Sequence, residues 1–182
     1  MGQVRDHYTI GIDPGYGMTG IVLVDPTGEV IDEFASSYPP VVGEPEYLRA
    51  SRMAARLWAA IDIMLEKVPP GSVLRYGIET PVYTGNALTF SKQWRLVQAI
   101  EHRLQIVDDV TIVRELAEIG PTASKKLLTG KGDASKWDMV SASPYSGRVD
   151  LDMATREALA DAYAHANAAK HAQDYYTIWR NT

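Results

Sequence analysis

Three runs of strand-forming residues, joined by two tight turns, fill the first 35 residues and constrain the fold more than any other feature. The runs are residues 8–13, 20–25 and 29–35, and the turns between them contain Pro14-Gly15 and Pro26-Thr-Gly28. Short turns with Gly and Pro between β-branched runs are typical of neighbouring antiparallel strands. The sequence therefore predicts that the fold begins with an antiparallel β-meander.

The rest of the chain alternates between helix and strand patterns. The periodicity predicts a helix over residues 45–68, a strand at 72–79, a helix at 87–105, a strand at 109–113, short helices within 121–142 and an alanine-rich helix from Asp152 to about Tyr175. This order is typical of an α/β fold. Because 182 residues is close to the size of one domain, we expect a single domain over residues 1–182. Its five-stranded mixed sheet would combine the antiparallel meander with later parallel strands, flanked by helices.

Composition excludes several classes of protein. There are no cysteines, and the scattered histidines (His7, His102, His165, His171) form no zinc-binding spacing, which excludes disulfide frameworks, thiol nucleophiles and zinc ribbons. No apolar run approaches the roughly 20 residues that span a bilayer, and the first residues lack a signal-peptide core, so we expect a cytoplasmic protein without a membrane partner. The net charge of −5 argues against nonspecific coating of nucleic acid but leaves room for a local basic groove.

One glycine motif matches a nucleotide-binding pattern, but the residues that follow it do not predict nucleotide binding. Gly15-Tyr-Gly17-Met-Thr-Gly20 matches the glycine pattern of dinucleotide-binding proteins, in which the glycines open a helix. Here they lead into a β-branched run at 21–24, which predicts a hairpin. The Asp-Pro-Gly opening also resembles the phosphate loop of the actin and sugar-kinase ATPases, but those enzymes close two such domains around the nucleotide and this chain has room for one. We therefore expect no nucleotide cofactor.

Four acidic residues fall where a sheet and a helix would bring them together. Asp13 and Glu79 end the first and fourth predicted strands, while Glu157 and Asp161 are one turn apart on the last helix, among alanines that allow close packing. Clustered carboxylates repel one another unless cations neutralise them, and oxygen-only ligands favour Mg²⁺ or Mn²⁺. Two such ions about 4 Å apart can stabilise the attacking and leaving oxygens in phosphodiester hydrolysis. From the residues alone, turn caps or solvated acids remain the alternative.

Four segments match one family in the correct order. They are Ile10-Gly-Ile-Asp-Pro-Gly15 with Thr19-Gly20, Gly77-Ile-Glu79, the basic block from Pro121 to Lys136 followed by Met139, and Ala160-Asp-Ala-Tyr-Ala164. Together they resemble the RuvC family of Holliday-junction resolvases, over roughly residues 8–168. The resemblance implies the ribonuclease H-like fold and the activity of a crossover junction endonuclease, a Mg²⁺-dependent endodeoxyribonuclease.

The resemblance also implies roles for individual residues. Asp13, Glu79 and Asp161 would be metal ligands, and Lys125 and Lys136 match lysines that serve catalysis and contact the scissile phosphate. The chain departs from the family at the fourth acid, because the usual position, three residues before the last Asp, is Ala158. We expect Glu157 to take its place as the fourth ligand. Asp150 and Asp152 are weaker candidates, because they lie before or at the very start of the predicted helix.

The same resemblance points to surfaces that contact DNA and a second subunit. Lys126 and Lys131 belong to a locally positive segment, which is expected to bind DNA, with a solvated charged loop as the alternative. Tyr83 is the aromatic nearest to the second acid and would stack on an unpaired base, unless it is a half-buried loop tyrosine. The helix at 87–105 would form the homodimer contact through Trp94, although its apolar stripe is equally compatible with a core position.

The leading hypothesis is a homodimeric endonuclease with two Mg²⁺ ions per site that nicks four-way DNA junctions at symmetric positions. Its partners would be branched DNA and a second copy of the chain, and its acidic pI and short length would suit a phage-encoded member. Two alternatives stay open. One is a ribonuclease H-fold nuclease for flaps, forks or other branched DNA. The other is a junction-binding protein without catalysis, against which the retained acids argue, since a pure binder gains from losing negative charge near phosphates.

Overall fold

The computed structural model describes residues 7–81, 83, 85–106 and 113–180, with backbone alone at 103–106, 113–118 and 172–180. In chain order the elements are β1 (His7–Asp13), β2 (Met18–Val24), β3 (Val30–Ser37), α1 (Glu46–Leu65), β4 (Val73–Glu79), α2 (Ala87–Ile106), β5 (Val113–Ile119), α3 (Pro121–Thr129), α4 (Lys136–Ala142) and α5 (Met153–Arg180). Most elements lie where the sequence predicts them.

The strands form one mixed sheet in the order β3-β2-β1-β4-β5. β1 pairs antiparallel with β2, and β2 pairs antiparallel with β3, as in the predicted meander. The pairs β1–β4 and β4–β5 are parallel. The predicted five-stranded mixed sheet is therefore confirmed. Because β1 and β4 are parallel neighbours, their carboxyl ends meet at the same edge of the sheet.

The position of the fifth strand corrects the sequence prediction. The sequence predicts it at residues 109–113, whereas the described strand is Val113–Ile119, and residues 109–112 lie outside the described part of the chain. β5 pairs along the whole of β4, with Val113 opposite Val73 and Ile119 opposite Glu79. Pairing with β4, rather than the local density of apolar residues, determines the extent of this strand.

The two faces of the sheet have separate cores. One core contains Ile10, Ile12, Leu74, Tyr76 and Ile78 of the sheet, packed with buried side chains of α1 and α2. The other contains Val22 and Val24, packed with residues of α4 and α5. Because side chains alternate along a strand, Gly11 and Asp13 of β1 lie on the α5 face, as do Gly77 and Glu79 of β4.

Three glycines on this face let α5 approach the sheet backbone. Gly11, Gly20 and Gly77 lie on three neighbouring strands, and a Cβ at each would overlap the backbone of α5, at Ala162, Ala158 and His165 respectively. The facing positions of α5 are mostly alanines, which add little bulk. The small residues on both elements bring α5 against the ends of β1 and β4.

The structure also shows the surroundings of the glycine motif and the end of the last helix. The glycine motif lacks the context that dinucleotide binding needs, because Gly15 and Gly17 precede β2 and Gly20 lies within it, with no helix between them. The last helix extends to Arg180 instead of ending near Tyr175. Within the described ranges, no helix is both long and apolar enough to cross a membrane.

Candidate active site

The site is built first from the ends of two parallel strands. Ile12 of β1 lies opposite Ile78 of β4, so the next residues, Asp13 and Glu79, follow at the same edge of the sheet. Both side chains line a small open cleft together with Pro14, Pro81 and Gln93. The predicted pairing of two carboxylates at adjacent strand ends is therefore found.

The third carboxylate comes from α5. Asp161 lies beside Ala160 and Ala162, which are fully buried against the sheet, and next to the point where α5 passes Gly11. The charges of Asp161 and Glu79 both act on Asp13, which shows that the three acids share one electrostatic environment. Two strand ends and one helix thus supply the acids that the sequence predicts as ligands.

Burial and like charge disfavour ionisation of two of these carboxyl groups, Asp13 and Asp161. Burial raises the pKa of Asp13 well above its ordinary value of 3.8, and the charges of Glu79 and Asp161 raise it further, while Lys136 lowers it. Burial also raises the pKa of Asp161; nearby His165 opposes this rise, and Glu79 adds to it. An acidic group with this combination of burial and like charge gains most from a bound positive ion.

The basic segment places two of its four lysines at these acids. Nζ of Lys136, the first residue of α4, donates to Oε2 of Glu157 at 2.8 Å. This hydrogen bond raises the pKa of Lys136, and the charges of Asp161 and Asp13 raise it further. Lys125 of α3 is close enough to lower the pKa of Asp161. Lys136 and Lys125 therefore supply positive charge beside the carboxylates.

The other predicted residues have different surroundings. Lys126 and Lys131 are exposed, and the charge of Lys131 acts on Asp138 rather than on the site. Asp150 pairs with Arg148 at 2.9 Å, and Oδ1 of Asp152 accepts from the backbone N–H of Thr155 at the start of α5. Asp150 and Asp152 thus have local partners. Glu157 is half-buried and paired with Lys136, whose charge also acts on Asp13 and Asp161, so Lys136 links Glu157 to the site.

His165 lies beside two of these acids, although in the sequence it is one of four scattered histidines. Its Nε2 lies 3.4 Å from Oε2 of Glu79, and its side chain is only 2% exposed. It follows Asp161 by one helical turn, and that i, i+4 spacing is the signal that could have identified it. An isolated buried histidine is more often a core residue, which is why spacing alone did not single it out.

An aromatic row begins beside the cleft. Tyr83 is 60% exposed and meets Phe90 edge-on, with ring centroids 5.9 Å apart; Phe90 stacks on Trp94 at 6.0 Å. Four apolar residues of α2 are predicted on one side of the helix, namely Trp94, Val97, Ile100 and Leu104. Val97 and Ile100 are buried, whereas Trp94 is 42% exposed and stacks on Phe90. The side chain of Leu104 lies outside the described residues. A tryptophan at this position is therefore available to a partner.

The donor chemistry fits a hard divalent cation. Within the described ranges, no three Asp, Glu, His or Cys side chains already converge to hold a metal ion. Asp13, Glu79 and Asp161 nevertheless lie together at one edge, and burial and like charge raise the pKa values of Asp13 and Asp161, so a bound cation would favour their ionised forms. Oxygen ligands of this kind suit Mg²⁺ or Mn²⁺.

The chain is similar to known proteins in both sequence and fold. No family model matches the chain. The crossover junction endodeoxyribonuclease RuvC of Salinibacter ruber is 28% identical over 174 residues, which cover 93% of this chain and 91% of that protein. The structure of Thermus thermophilus RuvC matches with a TM-score of 0.62 at 18% identity, covering 93% of this chain and 97% of that one.

A second structure matches equally well. T. thermophilus RuvC in complex with a Holliday junction substrate has a TM-score of 0.62 at 17% identity and covers 94% of this chain and 96% of that one. These matches confirm the ribonuclease H-like α/β fold expected from the sequence. With the curated relative, they also confirm the resemblance to RuvC over nearly the whole chain.

Proposed function

We propose that this chain, which resembles the RuvC family in both sequence and fold, is a structure-selective DNA endonuclease that resolves four-way junctions by metal-dependent phosphodiester hydrolysis. The observation that carries the proposal is the meeting of Asp13, Glu79 and Asp161 at one sheet edge, with Lys136 and Lys125 beside them. Acids in such a site would hold metal ions, and lysines would balance the charge of a phosphate.

The metal ligands would be Asp13, Glu79 and Asp161, with Glu157 as the fourth. When bound, Mg²⁺ ions, or Mn²⁺ in their place, supply Lewis acidity at the phosphate and a water of lowered pKa. We propose two ions per site. Glu157 is paired with Lys136, so its use as a ligand requires that this ion pair separate. A phosphate near Lys136 would give its ammonium group another anionic partner and release Glu157.

The four lysines would contact the DNA at two places, one pair at the scissile phosphate and the other pair at phosphates farther along the backbone. Lys136 and Lys125 lie at the carboxylates and would contact the scissile phosphate, where their charge stabilises the negative charge that develops during hydrolysis. Lys126 and Lys131 are exposed farther from the acids and would contact the DNA backbone. This division predicts effects on rate for the first pair and on affinity for the second.

Branched DNA as a substrate is supported by the aromatic row beside the cleft. Tyr83 is exposed, and Pro81 between it and Glu79 lines the cleft. A base that is unpaired at a branch point has a free face, and stacking on an aromatic side chain is worth about 1–3 kcal/mol per base. An intact duplex offers no such base near the scissile phosphate, so Tyr83 would favour branch points.

A homodimer would explain how paired nicks arise. Four-way junctions have approximate two-fold symmetry, and an isologous dimer places two equivalent sites about such an axis. α2 begins soon after Glu79, so a dimer contact through its exposed Trp94 would fix the distance between the two sites. We propose Trp94 as part of that contact.

The experiment that tests the activity is a panel of labelled DNA: a four-way junction, a flap, a fork, a linear duplex and an RNA–DNA hybrid, each incubated with Mg²⁺, Mn²⁺, Zn²⁺ or EDTA. We expect paired nicks in the four-way junction with Mg²⁺ or Mn²⁺ and none in EDTA. Undiminished cleavage in EDTA would refute the mechanism. Faster cleavage of flaps or forks than of four-way junctions would indicate a nuclease for those branched substrates. Tight junction binding with no cleavage in any metal would indicate a binding protein.

A further inference from the structure

We propose that His165 is a positioning residue that holds the Glu79 carboxylate in place for metal binding, without itself touching the metal. The inference rests on the proposed metal-dependent function and assigns a residue that the acid motifs do not contain. It starts from one contact: Nε2 of His165 lies 3.4 Å from Oε2 of Glu79. Among the described residues, the contact recorded for the Glu79 carboxylate uses Oε2, which leaves Oε1 for a cation.

The position of His165 is fixed by the packing of α5 against β4. Its backbone carbonyl oxygen would overlap a Cβ placed on Gly77, so α5 and β4 touch at this point. Gly77 is two residues before Glu79 on the same face of β4. The imidazole is therefore held against the strand that carries Glu79, and its place relative to that carboxylate is set by backbone packing.

Burial places His165 behind Glu79 and away from solvent. Its side chain is 2% exposed, whereas that of Glu79 is 31% exposed. The cleft beside the acids is lined by Asp13 and Glu79 but not by His165. A cation arriving from solvent would meet the carboxylates first. This order favours a supporting contact over direct coordination by the imidazole.

The second ring nitrogen gives an independent reason to assign a role. Nδ1 of His165 is buried and has no hydrogen-bond partner among the described residues. Burying an unsatisfied polar atom is unfavourable, so an apolar side chain would suit this position better for stability alone. The imidazole also acts on Asp161, one turn earlier on α5. His165 thus interacts with two of the three acids, which is the arrangement of a residue that orients metal ligands.

The test measures metal binding by the DNA-free protein rather than cleavage. Mn²⁺ affinity is determined by calorimetry for the wild type, His165→Ala, His165→Gln and the matched control His171→Ala, which removes an exposed histidine from the same helix. The amide of Gln reaches the position of Nε2 and can still donate to Glu79. We expect His165→Ala to bind Mn²⁺ at least tenfold more weakly, and His165→Gln and His171→Ala to remain within threefold of wild type.

Urea unfolding and pulsed EPR complete the test. Unfolding curves establish that each variant is folded, and His165→Asn, whose shorter amide keeps a polar group but does not reach Glu79, replaces the alanine variant if that one does not fold. Wild-type affinity in both His165→Ala and His165→Asn, or equal losses in His165→Asn and His165→Gln, would overturn the proposal. A ¹⁴N coupling to Mn²⁺ that disappears in His165→Gln would also overturn it, because the imidazole would then be a ligand.

The same measurements separate this inference from the proposed function. If the wild type bound no Mn²⁺, or if Asp13→Asn bound it as well as the wild type did, the metal site at the acids would be wrong and the inference would fall with it. If the wild type bound Mn²⁺ and Asp13→Asn did not, the proposed site would stand, and the His165 variants alone would decide the positioning role.

Discussion

Nζ of Lys136 lies 2.8 Å from Oε2 of Glu157, so a lysine from α4 and an acid from α5 pair directly beside the carboxylates of Asp13 and Asp161. The pair is partly exposed, and exposed ion pairs contribute about 0–1 kcal/mol, so it is easily exchanged for other partners. In a metal-dependent nuclease bound to DNA, a divalent cation is available to Glu157 and a phosphate is available to Lys136. The two residues are therefore expected to change partners when metal and DNA bind.

Asp13→Asn is expected to reduce cleavage by more than 10², which corresponds to about 2.7 kcal/mol of transition-state stabilisation. The change is nearly isosteric, but it replaces an oxygen of the proposed metal site with an amide nitrogen and removes a negative charge from the place proposed for the scissile phosphate. Junction binding should therefore persist or become tighter. Single-turnover cleavage and a binding titration measure the two effects.

The matched control for this change is Asp32→Asn. Asp32 lies on β3 and pairs with Lys67 at 2.9 Å, and in the described part of the chain no recorded contact links it to the acids of the site. Its variant should cleave at close to the wild-type rate. Activity of Asp13→Asn within about tenfold of wild type would rule out Asp13 as a ligand.

The stability of the metal-free protein should fall as the pH rises above about 4. Burial, and then Glu79 and Asp161, raise the pKa of Asp13 above its unfolded value of 3.8, so over the intervening pH range the folded state binds more protons than the unfolded state. The free energy of unfolding then decreases with increasing pH through the folded-state pKa. Asp161, whose pKa is also raised, contributes with the same sign.

Urea unfolding in EDTA between pH 4 and 8 measures this dependence. Asp13→Asn removes the titrating group, so its stability should decrease less steeply over the same range. Equal pH dependence in the two proteins would show that Asp13 does not titrate abnormally in the folded state. Addition of Mn²⁺ should stabilise the wild type most at high pH, where the carboxylates are ionised.

Lys125→Ala and Lys136→Ala should lower the single-turnover rate at saturating junction DNA, because their charges lie at the carboxylates. Lys126→Ala is the matched control, since Lys126 is the exposed neighbour of Lys125 on α3. It should weaken binding to all DNA alike and lower the salt dependence of the affinity by about one unit, without changing the saturated rate. Normal rates for both Lys125→Ala and Lys136→Ala would assign these lysines to a solvated surface.

Gly77→Ala is expected to destabilise the protein by about 1–3 kcal/mol, because the added methyl group would overlap the backbone of α5 at His165. It should also weaken Mn²⁺ binding, since α5 carries Asp161. Gly17→Ala is the control: a Cβ at Gly17 meets nothing within 4 Å. Urea unfolding compares the two variants. Equal stability of Gly77→Ala and wild type would contradict the close packing of α5 on β4.

Trp94→Glu is expected to convert a dimer into monomers, because it places a charge on the exposed part of α2. Light scattering at micromolar concentration measures the mass, and circular dichroism establishes that the fold is intact. Ile63→Glu on α1, where Ile63 is 58% exposed, is the matched control and should leave the mass unchanged. A wild-type monomer that makes simultaneous paired nicks would defeat the dimer proposal.

A related experiment addresses the symmetry of cleavage. A heterodimer of wild-type and Asp13→Asn subunits should nick one strand of a four-way junction without resolving it, because only one subunit retains its full ligand set. A supercoiled cruciform plasmid distinguishes the products, since one nick gives an open circle and two paired nicks give a linear molecule. Linear product from the heterodimer would contradict one active site per subunit.

The sequence alone is enough to predict most of the fold. Strands and helices have short-range periods, so the meander, β4, α1 and α2 are visible as local patterns of apolar residues. The acids at positions 13, 79 and 161 are also visible, because strand ends and one helix face can be inferred from those patterns. β5 is the exception: its extent follows from pairing with β4, which no local pattern encodes.

The details of the site were decided only by the tertiary structure. The contact between His165 and Glu79 joins α5 to β4, and it depends on how closely Gly77 lets the helix approach. The exposure of Trp94 depends on which face of α2 packs against the sheet. Because apolar residues occur on more than one face of this helix, the sequence alone does not show which face is buried. The sequence by itself determined the order of elements and the acids, because those follow from local spacing. Which side chains meet depends on strand register and helix position, and these are set by packing across the whole molecule.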